Sequence, residues 1–544
     1  MGTVTSRERP PQLRLYGSSR AKIAILRAGE SRPMSTATIG RNIAANAAGR
    51  LCSIVSVYLF SPLYLRFLGI EAYGLVGFYS TLLAILALAD FGLTATLTRE
   101  AARLSASAGS HEELSDVVRT YESLYAGISS LLAIIVWTAA PIVARYWLRP
   151  KTVEPSEILA AVRLMGVAIA FQMPSGLYIG GLMGLQEQVR SNALQVGWGL
   201  LRAGGAVVVL WLLSPTIVAF AGWQLLSNAL YCFAARLSLW RVLGFGHGRY
   251  TPKFRWHVLR QTAHYAAGMA GMAVVSTLLI QADRVVISKM TSLEMLGYYT
   301  LAGMPASALP VLASPIADAV FPHLVRLVSM RDRSAVRLYH DTSQLVACIV
   351  VPTGLTLALF ARQVILVWTG SADVAQHAAL VASLLAVGQL LQALTVVPYS
   401  FALAKGSPTL NLQIGVASLV VITPLLLLLV SRYGILGAGI SWVAMNVFTL
   451  PVYMSLLHRR FLPGELWRWC VLGIGRPVLV ALPCVMLGRY LLPHTSSRLA
   501  MLGIIAVVWC TGVLATSLAS HELRTRLARK MTWRGPIASR SIES

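Results

Sequence analysis

The sequence predicts an all-α polytopic membrane protein with about 14 transmembrane helices. They form two six-helix lobes related by pseudo-two-fold symmetry, plus two C-terminal helices. Three observations carry this. Hydrophobic residues make up 56% of the chain and charged residues only 12%, where soluble domains carry about a quarter. Uncharged stretches of about eighteen residues or more recur along the whole length, each long enough to cross a bilayer as a helix. The first half of the chain also returns in the second half at a constant offset. A transmembrane barrel would instead show alternating segments of about ten residues.

Taken in order, the apolar stretches place helices at 42–66, 73–98, 117–146, 158–184, 190–213, 216–240, 260–288, 295–325, 339–368, 376–404, 408–431, 434–457, 469–492 and 499–520. The net charge of +25 would suggest nucleic acid in a soluble protein. Here Lys and Arg collect on alternate loops. With the N-terminus placed in the cytoplasm, they outnumber those of the outer segments by about four to one. No nucleic-acid partner is therefore expected, and both termini are expected in the cytoplasm. The expected organisation is a basic cytoplasmic tail (1–41, disordered), an N-terminal six-helix lobe (42–240), a basic linker (241–259), a C-terminal lobe (260–461), the last two helices (462–520) and a second basic tail (521–544). Met34 opens M-S-T-A-T-I-G-R-N-I and is an alternative start to Met1. The six cysteines lack metal-type spacing and are expected as small core residues.

The repeat is visible residue by residue. V118-R-T-Y121 matches V336-R-L-Y339, and L194-Q-V-G197 matches L412-Q-I-G415. The stretch I217–N228 falls over I435–N446, and Arg66 over Arg284, all 218 residues on. Six helices per half is an even number, so matched helices run in the same direction. Parallel repeats of this kind, related by an axis along the membrane normal, occur in transporters.

The loop L68-G-I-E-A-Y-G74, the helix ending D90-F-G-L…R99, then A282-D-R-V-V-I-S288, L296-G-Y-Y-T-L-A302 and V320-F-P-H-L324 follow one another in a characteristic order. This succession resembles the polysaccharide transporters, the O-antigen and exopolysaccharide flippases of the multidrug/oligosaccharidyl-lipid/polysaccharide exporter superfamily. The resemblance runs from about residue 40 to 460. It implies a two-lobed bundle around a central cavity. The implied substrate is an undecaprenyl-diphosphate-linked oligosaccharide, moved between leaflets of the bacterial inner membrane for exopolysaccharide, capsule or O-antigen synthesis. It implies membrane lipids as partners, together with a polysaccharide polymerase and chain-length regulator proteins. It also implies a lipid-facing groove on the last two helices for the polyprenyl tail. Related lipid II flippases carry a basic cluster in the first helix, whereas only Arg50 stands there.

Charges inside the spans point to the site. An ionisable group at mid-membrane costs about 2.5–3.5 kcal/mol on insertion scales, so it faces protein or a wet cavity. Arg50, Arg163, Arg202, Arg284, Arg362 and Arg476 outnumber Asp90, Asp283 and Asp318. A cavity so lined attracts anions, and the planar guanidinium grips phosphate oxygens in pairs. The expected cavity residues are Arg50, Arg202, Arg163, Asp90 and Arg284, with Gln172, Tyr178, Gln392 and Tyr399 to bond sugar hydroxyls. His264 is a candidate for proton coupling. Each has a plainer role open to it: Asp283 and Arg284 as interfacial residues, Asp90 and Asp318 as partners of nearby arginines, His264 as a core residue. Prolines in F171-Q-M-P-S-G-L-Y178 and V397-P-Y-S-F401 interrupt corresponding helices of the two halves, and such interruptions point to a binding site. Pro305, Pro310 and Pro315 mark a third helix as a bent element and a hinge candidate.

No phosphate-cradling G-x-x-x-x-G-K-[ST] occurs. No cofactor or metal is expected, and the chain is expected not to be an enzyme. A multidrug cation exporter of the same superfamily, a membrane polysaccharide polymerase or ligase, and a scaffold of a synthesis complex stay open as alternatives. The first would need an acid in the first helix. The second would need a sizeable outer loop.

Overall fold

The computed structural model describes residues 36–105, 111–244, 251–491 and 497–520; for 36–55, 57, 111, 261–270 and 272 it describes the backbone path alone. The expected tails 1–41 and 521–544 lie outside the described residues, except that helical backbone begins at Thr36. Every regular element among the described residues is helical. In order these are α1 (Thr36–Leu86), α2 (Leu93–Ser105), α3 (His111–Ile142), α4 (Pro155–Gly184), α5 (Gln188–Leu212), α6 (Ile217–Val242), α7 (Trp256–Met290) and α8 (Leu293–Ser329). Then follow α9 (Ser334–Leu359), α10 (Ala361–Thr369), α11 (Ala372–Ala404), α12 (Pro408–Tyr433), α13 (Ile435–Phe461), α14 (Leu466–Tyr490) and α15 (Arg498–Ala519).

Among the described residues, 12 helices are long and apolar enough to cross a membrane, against the 14 expected. They stand at the places expected for all but the first and seventh. Helical backbone runs through those two places as well, in the first part of α1 and in α7.

The helix ends follow local chemistry. α1 breaks at Gly69, whose φ of 76° and ψ of 169° turn the chain between two spans. The helix expected over 73–98 does not run through. It stops at Asp90, and Phe91 and Gly92 take left-handed backbone before α2 restarts. Asp90 is the reason. Its Oδ1 accepts the backbone N–H of Thr94 at 3.3 Å and the Thr94 hydroxyl at 2.5 Å, capping the new helix.

Pro398 acts in the same way in α11. Its ring crowds the carbonyl four residues back, and the helix is interrupted at Leu394–Thr395. Pro174 in α4 leaves its helix continuous, and the neighbouring Ser175 hydroxyl bonds the Gln172 carbonyl at 2.5 Å. α8 continues through Pro305, Pro310, Pro315 and Pro322.

The helix pairings repeat between the halves. α4 packs on α6, α3 on α4, α2 on α4 and α1 on α5; α11 packs on α13, α9 on α11, α8 on α11 and α7 on α12. α14 and α15 pack on each other and on α9. That one-sided packing corrects the expectation for the cysteines. Cys348 is buried and Cys232 and Cys484 are half-buried, but Cys470 and Cys510, on these last two helices, are exposed.

The cores are distributed unevenly along the membrane normal. At the expected outer end one core joins both halves, from Tyr73 and Met165 to Tyr298 and Val381. At the expected inner end there are two separate cores. One holds Leu97, Tyr121, Leu177 and Leu239 of the first half; the other holds Tyr339, Phe401, Met454 and Leu457 of the second.

Candidate functional site

The outer seam is built from small residues. A Cβ added at Gly74 would lie 2.1 Å from the Leu293 carbonyl oxygen, and one at Gly297 would lie 2.3 Å from that of Ile70. I70-E-A-Y-G74 matches L293-E-M-L-G297 once a short gap shifts the offset to 223, so the contact is reciprocal. Without such residues the backbones of α1 and α8 could not approach this closely.

The 147–153 segment straps this seam. The Glu71 carboxylate accepts the backbone N–H of Lys151, and it accepts both the N–H (2.8 Å) and the hydroxyl of Thr152. The Lys151 ammonium reaches Glu294 at 2.7 Å, and the Leu293 N–H donates to the Arg149 carbonyl at 3.1 Å. Trp147 Nε1 donates to Ser288 at 3.0 Å. Deeper in, the Tyr58 hydroxyl donates to the Met304 carbonyl at 2.8 Å, and Trp368 donates to the Tyr58 carbonyl at 2.7 Å. The two halves are tied together at this end.

Below the seam, α7, α8, α11 and α13 line a cavity of about 780 Å³. Asp283 and Arg284 line it nearest the seam, with Tyr299, whose hydroxyl donates to Asp283 at 2.5 Å. Asp318 and Phe321 line it toward the inner end. Between them stand Gln389, Gln392, Thr395 and Tyr399. The break before Pro398 sets this wall, because it leaves Tyr399 exposed on the cavity side of α11. A side groove of about 260 Å³ branches off between α7, α11, α12 and α13 and shares Gln392, Thr395, Tyr399 and Trp442 with the cavity.

Of the residues singled out from the sequence, the structure brings Arg284, Gln392 and Tyr399 together on this cavity. The side chains of Arg50 and His264 lie outside the described residues. Of the other expected cavity residues, Arg202, Arg163, Gln172, Asp90 and Tyr178 are engaged within the first half. Arg202 stacks on Trp198 at 4.7 Å, and Trp198 stacks on Tyr231 at 4.5 Å. Arg163 lies 5.0 Å from the ring of Trp137. Gln172 accepts from the Asn228 amide at 3.1 Å, which also donates to Tyr79 and to the Ala168 carbonyl. Asp90 is bonded to Thr94 and to the Tyr125 hydroxyl, where an arginine partner had been the plainer expectation.

Tyr178 is buried and donates to Glu122 at 2.7 Å. Glu122 also takes Arg119 at 2.8 Å and Arg236. Glu122 was missed in the sequence, although the repeat held the signal. Tyr121 aligns with Tyr339, so Glu122 aligns with His340. Both are buried, and His340 pairs with Glu465 at 2.9 Å.

The family model described as "Polysaccharide biosynthesis protein" matches residues 39–328. Two curated relatives align over most of their own length. A protein described as an O-antigen transporter, from Shigella flexneri, is 23% identical and aligned over 73% of this chain and 91% of its own. The succinoglycan biosynthesis transport protein ExoT of Rhizobium meliloti (strain 1021) is 25% identical over 90% and 94%. Among solved structures, the lipid II flippase MurJ in an inward closed conformation aligns with a TM-score of 0.68 at 11% identity, over 90% of this chain and 99% of its own. An inward-facing multidrug transporter of the MATE family gives 0.63 at 16%, over 80% and 97%. The solved structures share the helical, two-lobed fold, and the family model, which matches more than half of the chain, establishes that the chain belongs to the polysaccharide biosynthesis protein family.

Proposed function

We propose that this protein is a flippase that carries polyprenyl-diphosphate-linked oligosaccharide repeat units across the bacterial inner membrane by alternating access, for exopolysaccharide, capsule or O-antigen synthesis. The observation that supports this most is the division of the core. One core closes the expected outer end, two separate cores leave the inner end free to part, and the cavity lies below the seam on the second half, lined by α7, α8, α11 and α13. Rocking the halves about the seam exchanges access to it. Arg284 is placed to hold a phosphate oxygen, with Gln392 and Tyr399 against the sugars. Arg50 and Arg202 are proposed to add positive charge from the first half, and Arg163, Asp90, Gln172 and Tyr178 to shape it; His264 is retained as the proton-coupling candidate. The apolar groove between α14 and α15, about 580 Å³ and lined by Leu487, Gly488, Ile504 and Val507, suits a polyprenyl tail. Both termini are proposed to be cytoplasmic, and a polymerase and chain-length regulators to receive the product.

The test is leaflet access of an undecaprenyl-diphosphate-linked oligosaccharide in proteoliposomes holding the parent, an Arg50→Ala/Arg202→Ala double variant or Arg284→Ala. Acceleration by the parent that falls in a folded variant supports the reading and its charges. Acceleration retained in all of them keeps the flippase and removes the arginines from its site. Two carboxylates, Asp283 and Asp318, face the same cavity and favour a cation exporter as the second reading. Efflux of a lipophilic cation with no lipid transfer would make that the answer.

A further inference from the structure

The charges of the site are segregated. The wide cavity carries Asp283, Arg284 and Asp318, whereas among the described residues the side groove is lined by no Asp, Glu, Lys, Arg or His. What lines it instead is aromatic or neutral and polar. Tyr399 is 42% exposed and presents a ring at the junction with the cavity. Tyr453 donates to the Asn411 Oδ1 at 2.8 Å, and Asn411 reaches back to the Tyr399 carbonyl at 3.5 Å. Ser418 and Thr449 share a hydrogen bond across the groove at 3.3 Å.

Trp442 is the least satisfied member. It is 7% exposed, it lines both spaces, and its Nε1–H has no partner among the described residues. A buried indole N–H normally finds one. Gln389 Oε1, on the wall of the wide cavity, is likewise unpartnered among the described residues.

Resting on the flippase reading above, we infer that this groove is a subsite for one uncharged sugar residue of the lipid-linked chain, while the diphosphate stays in the charged cavity. At about 260 Å³ the groove is smaller than the pockets of roughly 300–1,000 Å³ that enclose a whole drug-sized ligand, so it takes part of a longer molecule. A sugar ring offers apolar C–H faces to Tyr399 and hydroxyls to Thr449 and the amides, and Trp442 Nε1, packed against Gly388, gains a partner when its ring turns toward the groove. A uronate carboxylate would be desolvated there with no cation among the described lining residues to pair with.

The experiment compares three lipids in proteoliposomes: bare undecaprenyl diphosphate, the same lipid bearing a neutral trisaccharide, and the same lipid bearing a trisaccharide with one uronate. Transfer is measured for the parent, Trp442→Phe and Thr449→Val. The readout is the ratio of glycan-bearing to bare lipid transfer. The parent is expected to favour the neutral glycan over the uronate. Each variant is expected to lower the ratio of neutral-glycan to bare-lipid transfer about tenfold, the factor carried by one hydrogen bond to a hydroxyl.

Equal losses on bare and glycan-bearing lipid, no loss on either, or an equal preference for the uronate would overturn the subsite and leave the flippase reading intact. Transfer of none of the three lipids by the parent would sink the flippase reading instead. The groove is then decided by calorimetry of the free neutral trisaccharide on the full chain in detergent, where heat lost in Thr449→Val supports it and no heat overturns it. Thr449→Val keeps shape while removing a hydroxyl, so its result holds where Trp442→Phe fails to fold.

Discussion

The two halves of the molecule share their helix pairings but not their chemistry. In the first half several polar groups inside the membrane bond one another, while Ser129 Oγ, Arg163 Nε and Gln224 Oε1 have no hydrogen-bond partner among the described residues. Asn228 bonds Gln172 and Tyr79, and Glu122 gathers Tyr178, Arg119 and Arg236. In the second half the corresponding helices leave Gln389 and Trp442 unpartnered among the described residues, and leave Gln392 and Tyr399 facing open space. A duplicated fold thus keeps its packing positions while its polar positions drift toward two tasks. The first half spends its polar groups on its own helix contacts, and the second carries the wall of the cavity and its side groove.

The strongest way to break this picture is at the seam, where the halves are equivalent. Gly74→Val and Gly297→Val each drive a side chain into a backbone carbonyl that cannot move aside. An overpacking cost of about 1–3 kcal/mol on the outward-closed state shifts the lobe equilibrium roughly 5- to 150-fold toward outer opening. Labelling of a cysteine placed at Ser307 by a membrane-impermeant thiol reagent, with the native cysteines replaced, reads this directly. The two variants are expected to act alike. Opening by one and not the other would end the two-fold account of the seam.

The next effect is on stability and is confined to the first half. Glu122→Ala leaves Tyr178 and Arg236 without their acceptor, and is expected to cost about 1–3 kcal/mol, seen as earlier thermal unfolding in detergent. Trp442→Phe, in the other half, removes no existing hydrogen bond and is expected to unfold within a degree or two of the parent. Reversal of that order would mean that the second half, not the first, is the polar-stabilised one.

A smaller effect separates the two proline helices. Pro398→Ala removes the clash that interrupts α11, so the helix closes at Leu394–Thr395 and Tyr399 turns from the cavity. Transport is expected to fall severalfold with no loss of thermal stability. Pro174→Ala in the continuous α4 is expected to leave transport as it was. Equal transport losses in both would show that proline acts through general flexibility and not through the placement of Tyr399.

Much of this was legible in the sequence. Apolar run lengths located the spans, because a bilayer fixes how long a helix must be. The constant offset located the repeat, because equivalent packing keeps residues such as Tyr121 and Tyr339 alike. The site was harder to read. Hydropathy reports that Arg163 and Arg202 lie within spans, but not that Trp137 and Trp198 stand beside them to take up their guanidinium faces. Asp90 looked like a membrane charge. It is a helix cap, and the clue was local: D-F-G-L-T, an acid four residues before a threonine with a glycine between. Trp442 carried no signal at all, since an unpartnered N–H is a property of what surrounds it.

The smallest effect expected lies in the strap over the seam, where an ion pair and a set of backbone bonds act side by side. Lys151 and Glu294 join the halves, but Lys151 is exposed, so the pair is screened by salt and worth little in water. The Leu293 N–H to Arg149 carbonyl bond also crosses the halves. Buried Glu71 fixes the strap on its own half through the N–H groups of Lys151 and Thr152, and none of these bonds depends on the ammonium. Lys151→Ala is therefore expected to raise outer labelling at Ser307→Cys about twofold or less, an increase that vanishes at high salt. The hydrogen bond to Glu294 holds the Lys151 ammonium above its ordinary value of 10.5. A raised lysine contributes fully below its unfolded value and loses its contribution as pH climbs through the folded one. Between pH 6 and pH 9 the strap should be indifferent to pH, and labelling should rise only in strong alkali. A rise near neutrality would place the titrating group elsewhere, and a large effect of Lys151→Ala would make the exposed pair, not the glycine seam with Glu71, what keeps the outer end shut.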